Sequence, residues 1–140
     1  MNKFDQKTKE NIRIMAFLSA FLSRERLNRI LPYIHGDVLD VGCQQGQLRY
    51  KLGGQISSYT GIDVESEQIS KAKQAHPDCE FKLMNLDDDQ TGFENQFDII
   101  VMSAVIEHIF NLKQVGLGLV KALRPGGEII MTTPTNFGND

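Results

Sequence analysis

The sequence predicts an α/β protein with a doubly wound parallel sheet that carries helices on both faces. Two observations predict this class. From residue 37 onward, short apolar stretches typical of buried strands alternate with longer segments of helical periodicity. A glycine-rich turn also follows the first apolar stretch, where such sheets bind ligands beyond the carboxyl ends of their strands. With 140 residues, 41% of them hydrophobic, the chain can form one domain with a single core.

Residues 1–33 are predicted to be helical. Apolar residues recur at helical spacing from Ile14 to Leu31, and Pro32 ends the pattern. Two roles stay open for these N-terminal helices. Either the segment from Asn11 to Ser23 caps a ligand as a lid, or the apolar stripe only packs against the rest of the chain. Residues 34–140 are expected to form the core domain.

Five strands follow, each an apolar stretch bounded by glycine, proline or polar residues. In chain order they read DVLDVG, SSYTGIDV, CEFKLM, FDIIVMS and EIIMTT. Three helices lie between them: Gly46 to Leu52, Ser66 to His76, and one that carries Leu112, Val115, Leu119 and Leu123 on one face and ends at RPGG. Pro77 stops the second of these helices. The segment NLDDDQTGFENQ, after the third strand, is interpreted as a solvated acidic turn.

The glycine-rich turn VLDVGCQQGQL is predicted to bind a nucleoside-like ligand. Gly42 and Gly46 let backbone N–H groups approach a ligand closely. Asp63 follows Gly42 by 21 positions, at the end of the second strand, where a carboxylate can accept hydrogen bonds from both hydroxyls of a ribose. The positions from Gly42 read G-C-Q-Q-G-Q instead of G-x-G-x-x-G. This spacing disfavours a dinucleotide and favours an adenosine that carries an amino-acid chain.

Four stretches together resemble the class I S-adenosylmethionine-dependent methyltransferases, especially the ubiquinone-biosynthesis O-methyltransferase branch. They are VLDVGCQQGQL, TGIDVESEQISKAK, FDIIVMSAVIEHI and LRPGGEIIMTTPT, and they span about residues 34–135. The resemblance implies a Rossmann-like sheet of strand order 3-2-1-4-5. It also implies methyl transfer from S-adenosylmethionine to a small-molecule acceptor, with O-methylation favoured and S-adenosylhomocysteine as the product.

The resemblance also assigns cofactor-binding roles. Asp40, Gly42, Cys43 and Gly46 would surround the methionine part of the cofactor. Cys43 is interpreted as a small residue that fits a crowded turn, rather than as a nucleophile. Gln44 stands where the family more commonly has glycine. Its side chain would either crowd the cofactor or point to solvent if the local φ is below zero.

The adenosine end is assigned in the same way. Asp63 would bind the ribose hydroxyls, and Val64 would pack on the adenine. Asn85 occupies a position that is usually acidic, and its side-chain carbonyl can still accept a hydrogen bond from the adenine amino group. Leu86 would add a backbone and apolar contact. Ser103, at the end of the fourth strand, would lie near the methionine end.

Glu107 and His108 form an adjacent pair just after the fourth strand. Some relatives of this family hold a divalent metal with an E-x-x-E-H cluster, but here Ala104 takes the place of the first Glu. No metal is therefore assigned. The pair either shapes the rim of the pocket or supplies a catalytic residue, with His108 as a general base.

The family's sheet usually has seven strands, and this sequence reads as lacking the last two. EIIMTT would then be an exposed apolar edge, which proteins normally cover. We expect either a chain shortened at its C-terminus or pairing of this edge with a second copy. A homodimer is compatible with both.

Composition and charge limit the binding partners and the cellular location that we expect. A net charge of −3 and a pI near 5.6 argue against nucleic acid. The polar first ten residues, and apolar stretches shorter than a bilayer requires, argue against secretion and membranes and favour the cytoplasm. Gln44, Asn85, Ala104 and the expected lack of the last two strands also keep a second hypothesis open, namely a non-catalytic cofactor-binding or scaffold module.

Overall fold

A computed structural model describes residues 3–134 of the chain. The chain divides into two compact units between Ile30 and Leu31. The first contains one continuous helix, α1 (Lys3–Ile30), and the 3-10 turn Leu31–Tyr33 follows it. The predicted stop at Pro32 is confirmed, because proline has no N–H to continue the helical bonding. Within the described residues, no helix combines the length and apolarity that crossing a membrane requires.

The second unit contains a five-stranded parallel sheet in the order β3-β2-β1-β4-β5, as the resemblance implied. Its strands are β1 (Gly36–Val41), β2 (Ile56–Asp63), β3 (Glu80–Leu83), β4 (Phe97–Ser103) and β5 (Leu123–Thr132). The helices between them are α2 (Gln47–Leu52), α3 (Ser66–Ala75) and α4 (Leu112–Ala122), with a 3-10 turn at Ile106–His108. The strand order reverses at β1, so the carboxyl ends of β1, β2 and β4 converge beside the glycine loop.

The fifth strand begins five residues earlier than predicted, at Leu123 instead of Glu128. Pro125 explains the difference, because the residue before a proline is biased towards extended backbone and the helix must end first. Leu123 pairs with Phe97, and Glu128 pairs with Ile99, so the residues between them form a bulge. RPGG is thus part of an irregular strand rather than the end of α4.

One polar cluster holds this bulge against the amino ends of the strands. Arg124 donates from Nη1 to Asp37 Oδ2 at 2.6 Å and to Asp98 Oδ2 at 2.9 Å. The backbone N–H of Asp37 also donates to Asp98 Oδ2, at 2.8 Å. Three strands, β1, β4 and β5, are therefore bonded together at the end of the sheet opposite the glycine loop.

The main core lies between the sheet and α4. Its largest fully buried side chains on the sheet include Leu39, Ile62 and Ile100, and α4 contributes Leu119. Leu39 pairs with Ile100 across β1 and β4, so their side chains share the face that α4 covers. This core fixes the strand ends that carry the loops.

The opposite face of the sheet has a notch at Gly61. Asp40, Gly61 and Phe81 are paired in register across β1, β2 and β3. A Cβ atom at Gly61 would lie 2.7 Å from Cys43 Sγ and 2.8 Å from Phe81 Cδ1. Because Gly61 has no side chain, Cys43 of the glycine loop can occupy the space above it.

We predict that Gly61→Ala destabilises the protein by about 1–3 kcal/mol, because the added methyl overpacks the notch. Gly116→Ala in α4 is the matched control, since nothing lies within 4 Å of its new Cβ. Alanine in a helix should stabilise the control by up to about 1 kcal/mol. Urea unfolding measures the free energy of unfolding of both variants. Equal changes at the two sites would contradict the steric restriction at Gly61.

Candidate cofactor-binding site

The glycine loop, residues 42–46, is bonded directly to the end of β2. The N–H groups of Gly42 and Cys43 both donate to the Ile62 carbonyl, at 2.8 and 3.0 Å. Gly42 and Gly46 have φ of +75° and +83°, which favours glycine. Their places are also sterically closed, because a Cβ would meet Val105 Cγ2 at 2.5 Å and His76 Cδ2 at 2.7 Å respectively.

Gln44 is exposed and adopts φ of +49°. The solvent-facing alternative required φ below zero, so that condition is not met. The backbone instead keeps the left-handed conformation that glycine normally provides, at a cost of about 1–2 kcal/mol for a side chain with Cβ. The loop therefore retains its shape despite the substitution, and pays for it in strain.

Asp63 lies against this loop at the carboxyl end of β2. It is buried, with 8% of its surface exposed. Its Oδ2 accepts from the N–H of Gln44 and its Oδ1 from the N–H of Glu65, each at 2.9 Å. A carboxylate has about four acceptor positions, so two remain for hydroxyl groups of a ligand. The next residue, Val64, is 62% exposed and extends the site with an apolar surface.

Asp40 lies deeper, on β1, and is also buried. The hydroxyl of Tyr59 donates to its Oδ2 at 2.5 Å. Burial raises the pKa of Asp40 from 3.8 to about 7, and the negative charge of Asp63 adds to the rise, whereas the Tyr59 bond lowers the pKa. Two acids thus lie close together under one loop, and one of them titrates near neutrality.

Cys43 is 3% exposed and fills the notch at Gly61. Burial raises its thiol pKa far above the ordinary range, and the nearby carboxylates of Asp40 and Asp63 raise it further. A thiol so disposed stays protonated and unreactive. This agrees with its interpretation as a small packing residue.

At the end of β3, Asn85 is exposed and Leu86 is buried. The Asn85 side-chain carbonyl accepts from the N–H of Asp87 at 3.1 Å, which leaves one of its two lone pairs. The sequence predicted a solvated acidic turn here, but the turn also makes hydrogen bonds to another segment. Asp87 Oδ1 accepts from the N–H groups of Phe110 and Asn111, at 3.1 and 2.8 Å, and so connects this turn to the loop before α4.

The remaining predicted residues follow β4. Ser103 shares a hydrogen bond of 3.0 Å with Thr132, side chain to side chain. Ala104 has φ of +57° and donates its N–H to the Thr132 carbonyl. Glu107 and His108 are exposed, and their side chains form no hydrogen bond or ion pair within the part of the chain that the structure describes. In that part there is also no group of three or more His, Cys, Asp or Glu placed to hold a metal ion.

A cavity of about 400 Å³ lies between the acidic turn and α4. Its lining includes Leu86, Phe93 and Lys121 but no residue of the glycine loop. The cavity therefore touches the predicted adenine end of the site through Leu86 only. The convergence of strand ends and buried acids marks the glycine-loop end of the site.

Three residues of the site, Tyr59, His76 and Val105, were not predicted from the sequence. Tyr59 had a signal, because alternation along β2 places it on the same face as Gly61 and Asp63. His76 and Val105 gave none, since their contacts with Gly46 and Gly42 cross long stretches of sequence.

The residues present suit an adenosine-type ligand. Asp63 offers free acceptor positions to ribose hydroxyls, Val64 offers an exposed apolar surface, and Gly42 and Gly46 leave two loop positions without side chains. A doubly wound sheet with these features defines the class, a Rossmann-like domain for a cofactor of the S-adenosylmethionine type.

Comparisons with known proteins give the family. A model described as a methyltransferase domain matches residues 39–129. The human mitochondrial ubiquinone biosynthesis O-methyltransferase is 32% identical over 110 residues, covering 73% of this chain and 30% of that protein. The chain belongs to the class I S-adenosylmethionine-dependent methyltransferase family.

Two solved structures share the fold. An S-adenosylmethionine-dependent methyltransferase from Mesorhizobium loti has a TM-score of 0.69 at 23% identity, covering 78% of this chain and 52% of that one. The N-methyltransferase NodS from Bradyrhizobium japonicum, in complex with S-adenosyl-L-homocysteine, has a TM-score of 0.64 at 25% identity, covering 77% and 60%. The chain thus spans less than two thirds of the length of each of these relatives.

We predict that Gln44→Gly stabilises the protein by about 1 kcal/mol, because glycine relieves the left-handed strain. Gln45→Gly is the matched control: its φ is not positive, and the change should destabilise by about 0.5–1 kcal/mol. Urea midpoints at unchanged slope measure both variants. A destabilised Gln44→Gly protein would show that the strain is absent.

We predict that Asp40→Asn flattens the dependence of stability on pH. The pKa of Asp40 is raised on folding, so this residue destabilises the folded state progressively as pH rises from 3.8 to about 7. The interval corresponds to roughly 4 kcal/mol at most. Unfolding free energies between pH 4.5 and 8 test it, with exposed Glu65→Gln as the control. Parallel profiles for wild type and Asp40→Asn would contradict the shift.

Proposed function

We propose that the chain forms the cofactor-binding part of an enzyme that transfers the methyl group of S-adenosylmethionine to a hydroxyl oxygen of a small molecule. The observation that carries the proposal is the buried Asp63 carboxylate bonded to the glycine loop, in a chain of the methyltransferase family. The choice of oxygen is supported by the similarity to ubiquinone biosynthesis O-methyltransferases.

Different residues would bind different parts of the cofactor. Asp63 would accept from the ribose hydroxyls, and Val64 would pack on the adenine. Asn85 and Leu86 would form the far side of the adenine site. The loop from Gly42 to Gly46, with Asp40 beneath it, would surround the methionine part, and Ser103 would lie near that end.

The protein's part in such a reaction is mainly orientation and exclusion of water. Bound S-adenosylmethionine supplies a methyl group that is already activated on a sulfonium. A phenol-like hydroxyl needs a base only for its proton, and we assign this role to His108. Its exposed imidazole follows β4 at the carboxyl end of the sheet, where the sites of such folds lie.

The rest of the proposal comes from the sequence. We propose that residues 1–33 act as a cap or packing element for the core domain at 34–140. We also propose that the methyl acceptor is a small molecule, that the protein is cytoplasmic, and that it forms a homodimer and binds no nucleic acid. The edge position of β5 among the described strands supports pairing with another segment or copy.

A second function, a non-catalytic cofactor-binding or scaffold module, is favoured by one observation. Gln44 adopts a glycine conformation at φ of +49° and places an exposed side chain on the loop. A chain that binds cofactor without transferring methyl groups would fit this second function.

We predict micromolar binding of S-adenosylhomocysteine and S-adenosylmethionine by calorimetry. Asp63→Ala should weaken both by about 10- to 100-fold, because hydrogen bonds to a buried carboxylate are lost. Exposed Glu67→Ala on α3 should bind normally. A folded wild-type protein that gives no heat at millimolar ligand would overturn the cofactor assignment.

Methyl transfer from labelled cofactor to a panel of catechols and other phenols then separates the two functions. We predict labelled product from the wild type and at least a tenfold lower rate for His108→Ala at unchanged cofactor affinity. Undiminished turnover in His108→Ala would remove the base role. Cofactor binding without transfer to any acceptor, also in a longer form of the protein, would favour the scaffold.

A further inference from the structure

A buried hydrogen bond lies beneath the glycine loop, between Tyr59 on β2 and Asp40 on β1. The Tyr59 hydroxyl donates to Asp40 Oδ2 at 2.5 Å, a length typical of a bond to a charged acceptor. Both residues are only 4% exposed. Burying polar groups this deep is costly unless they are hydrogen-bonded, as Tyr59 and Asp40 are to each other.

Packing holds the tyrosine in this position. Its ring lies against Phe81, with 5.8 Å between centroids. Phe81 in turn closes the notch at Gly61 and lies 3.5 Å from the place of a Cβ at Gly46. Tyr59 therefore packs against the same phenylalanine that lines the space beneath the glycine loop.

The charges around Asp40 are negative or neutral. Asp63 faces it from the end of β2, the Cys43 thiol faces it from the loop, and Tyr59 faces it from β2. Cys79, at the start of β3, acts on Tyr59 from further away. No Lys, Arg or His bonds to the Asp40 carboxyl within the described residues, and its Oδ1 accepts no hydrogen bond from them. Among the described residues, the Asp40 carboxylate thus has one hydrogen-bond donor, the Tyr59 hydroxyl, and no bonded basic side chain.

The two forms of the cofactor differ in the charge that such a carboxylate would detect. S-adenosylmethionine carries a positive sulfonium, and S-adenosylhomocysteine has a neutral thioether at the same atom. An ionised acid in a buried site attracts the first more than the second, since Coulomb interactions strengthen as the local dielectric falls. Protonation of the acid removes the difference.

We infer that Tyr59 is a positioning residue that keeps Asp40 charged towards the methionine part of the cofactor, so that the loop prefers the cationic donor over the neutral product. The inference rests on the proposed function, because it assumes that the loop holds this cofactor. Transfer of the methyl group would then itself weaken binding and favour product release.

The test measures dissociation constants of S-adenosylmethionine and S-adenosylhomocysteine for wild type, Tyr59→Phe and Asp40→Asn at pH 7.0 and 8.5. The ligands' own titrations are common to all proteins, so differences between variants report on Asp40. At pH 7.0 we expect both variants to lower the preference for the donor roughly tenfold. Tyr50→Phe, which removes a hydroxyl from a residue 83% exposed on α2, should leave it unchanged.

The pH profile separates positioning from a merely structural role. Without the Tyr59 bond the pKa of Asp40 rises above about 7, so Tyr59→Phe should regain donor preference at pH 8.5. Asp40→Asn has no carboxyl and should not regain it. Carbon-13 NMR of the ligand-free protein should show the Asp40 titration midpoint moving upward in Tyr59→Phe.

Three results would overturn the inference. If both ligands bind but their ratio is equal in wild type, Tyr59→Phe and Asp40→Asn, the inference fails and the proposed function stands. If Tyr59→Phe does not fold, an unchanged ratio in Asp40→Asn is enough to overturn it. If the wild type binds neither ligand, the proposed function fails and takes the inference with it.

Discussion

The attachment of the glycine loop to the end of β2 is the interaction on which the site depends. Two backbone N–H groups of the loop share the Ile62 carbonyl, and a third, from Gln44, donates to Asp63. Backbone donors, unlike side chains, are retained in any single substitution except one to proline. The loop therefore keeps its geometry although Gln44 replaces a glycine, and the strain of that residue is offset by the bonds that its own N–H and its neighbours make.

Much of this arrangement follows from local sequence, and the rest requires contacts across the sheet. The five strands, the glycine loop and the carboxylate of Asp63 at the end of β2 were accessible, because apolar stretches, glycines and an acid at a strand end are local signals. The strand order came from the family resemblance. The start of β5 was misplaced although Pro125 is a local signal for an early end of the helix, and the bulge that follows is held by Arg124 bonding to Asp37 and Asp98, which lie far away in the chain. The sign of φ at Gln44 and the environment of Tyr59 were likewise invisible, since both are decided by neighbours on other strands.

The two buried acids of the site differ in their hydrogen bonding. Both carboxylate oxygens of Asp63 accept from backbone N–H groups, whereas Asp40 accepts from one hydroxyl. Two carboxylates so close together would repel if both were equally charged. Asp63 therefore anchors the loop through backbone hydrogen bonds, whereas Asp40, whose pKa is raised to about 7 by burial, changes its charge near neutral pH.

The notch at Gly61 shows that the loop is not a portable motif. Cys43 of the loop, Gly61 of β2 and Phe81 of β3 occupy one shared volume, although they belong to three segments of the chain. A larger residue at any one position requires a smaller one at another. If a glycine loop were transferred between members of such a family, its own residues would be transferred but the matching space on β2 and β3 would not. Residues at these three positions must therefore change together.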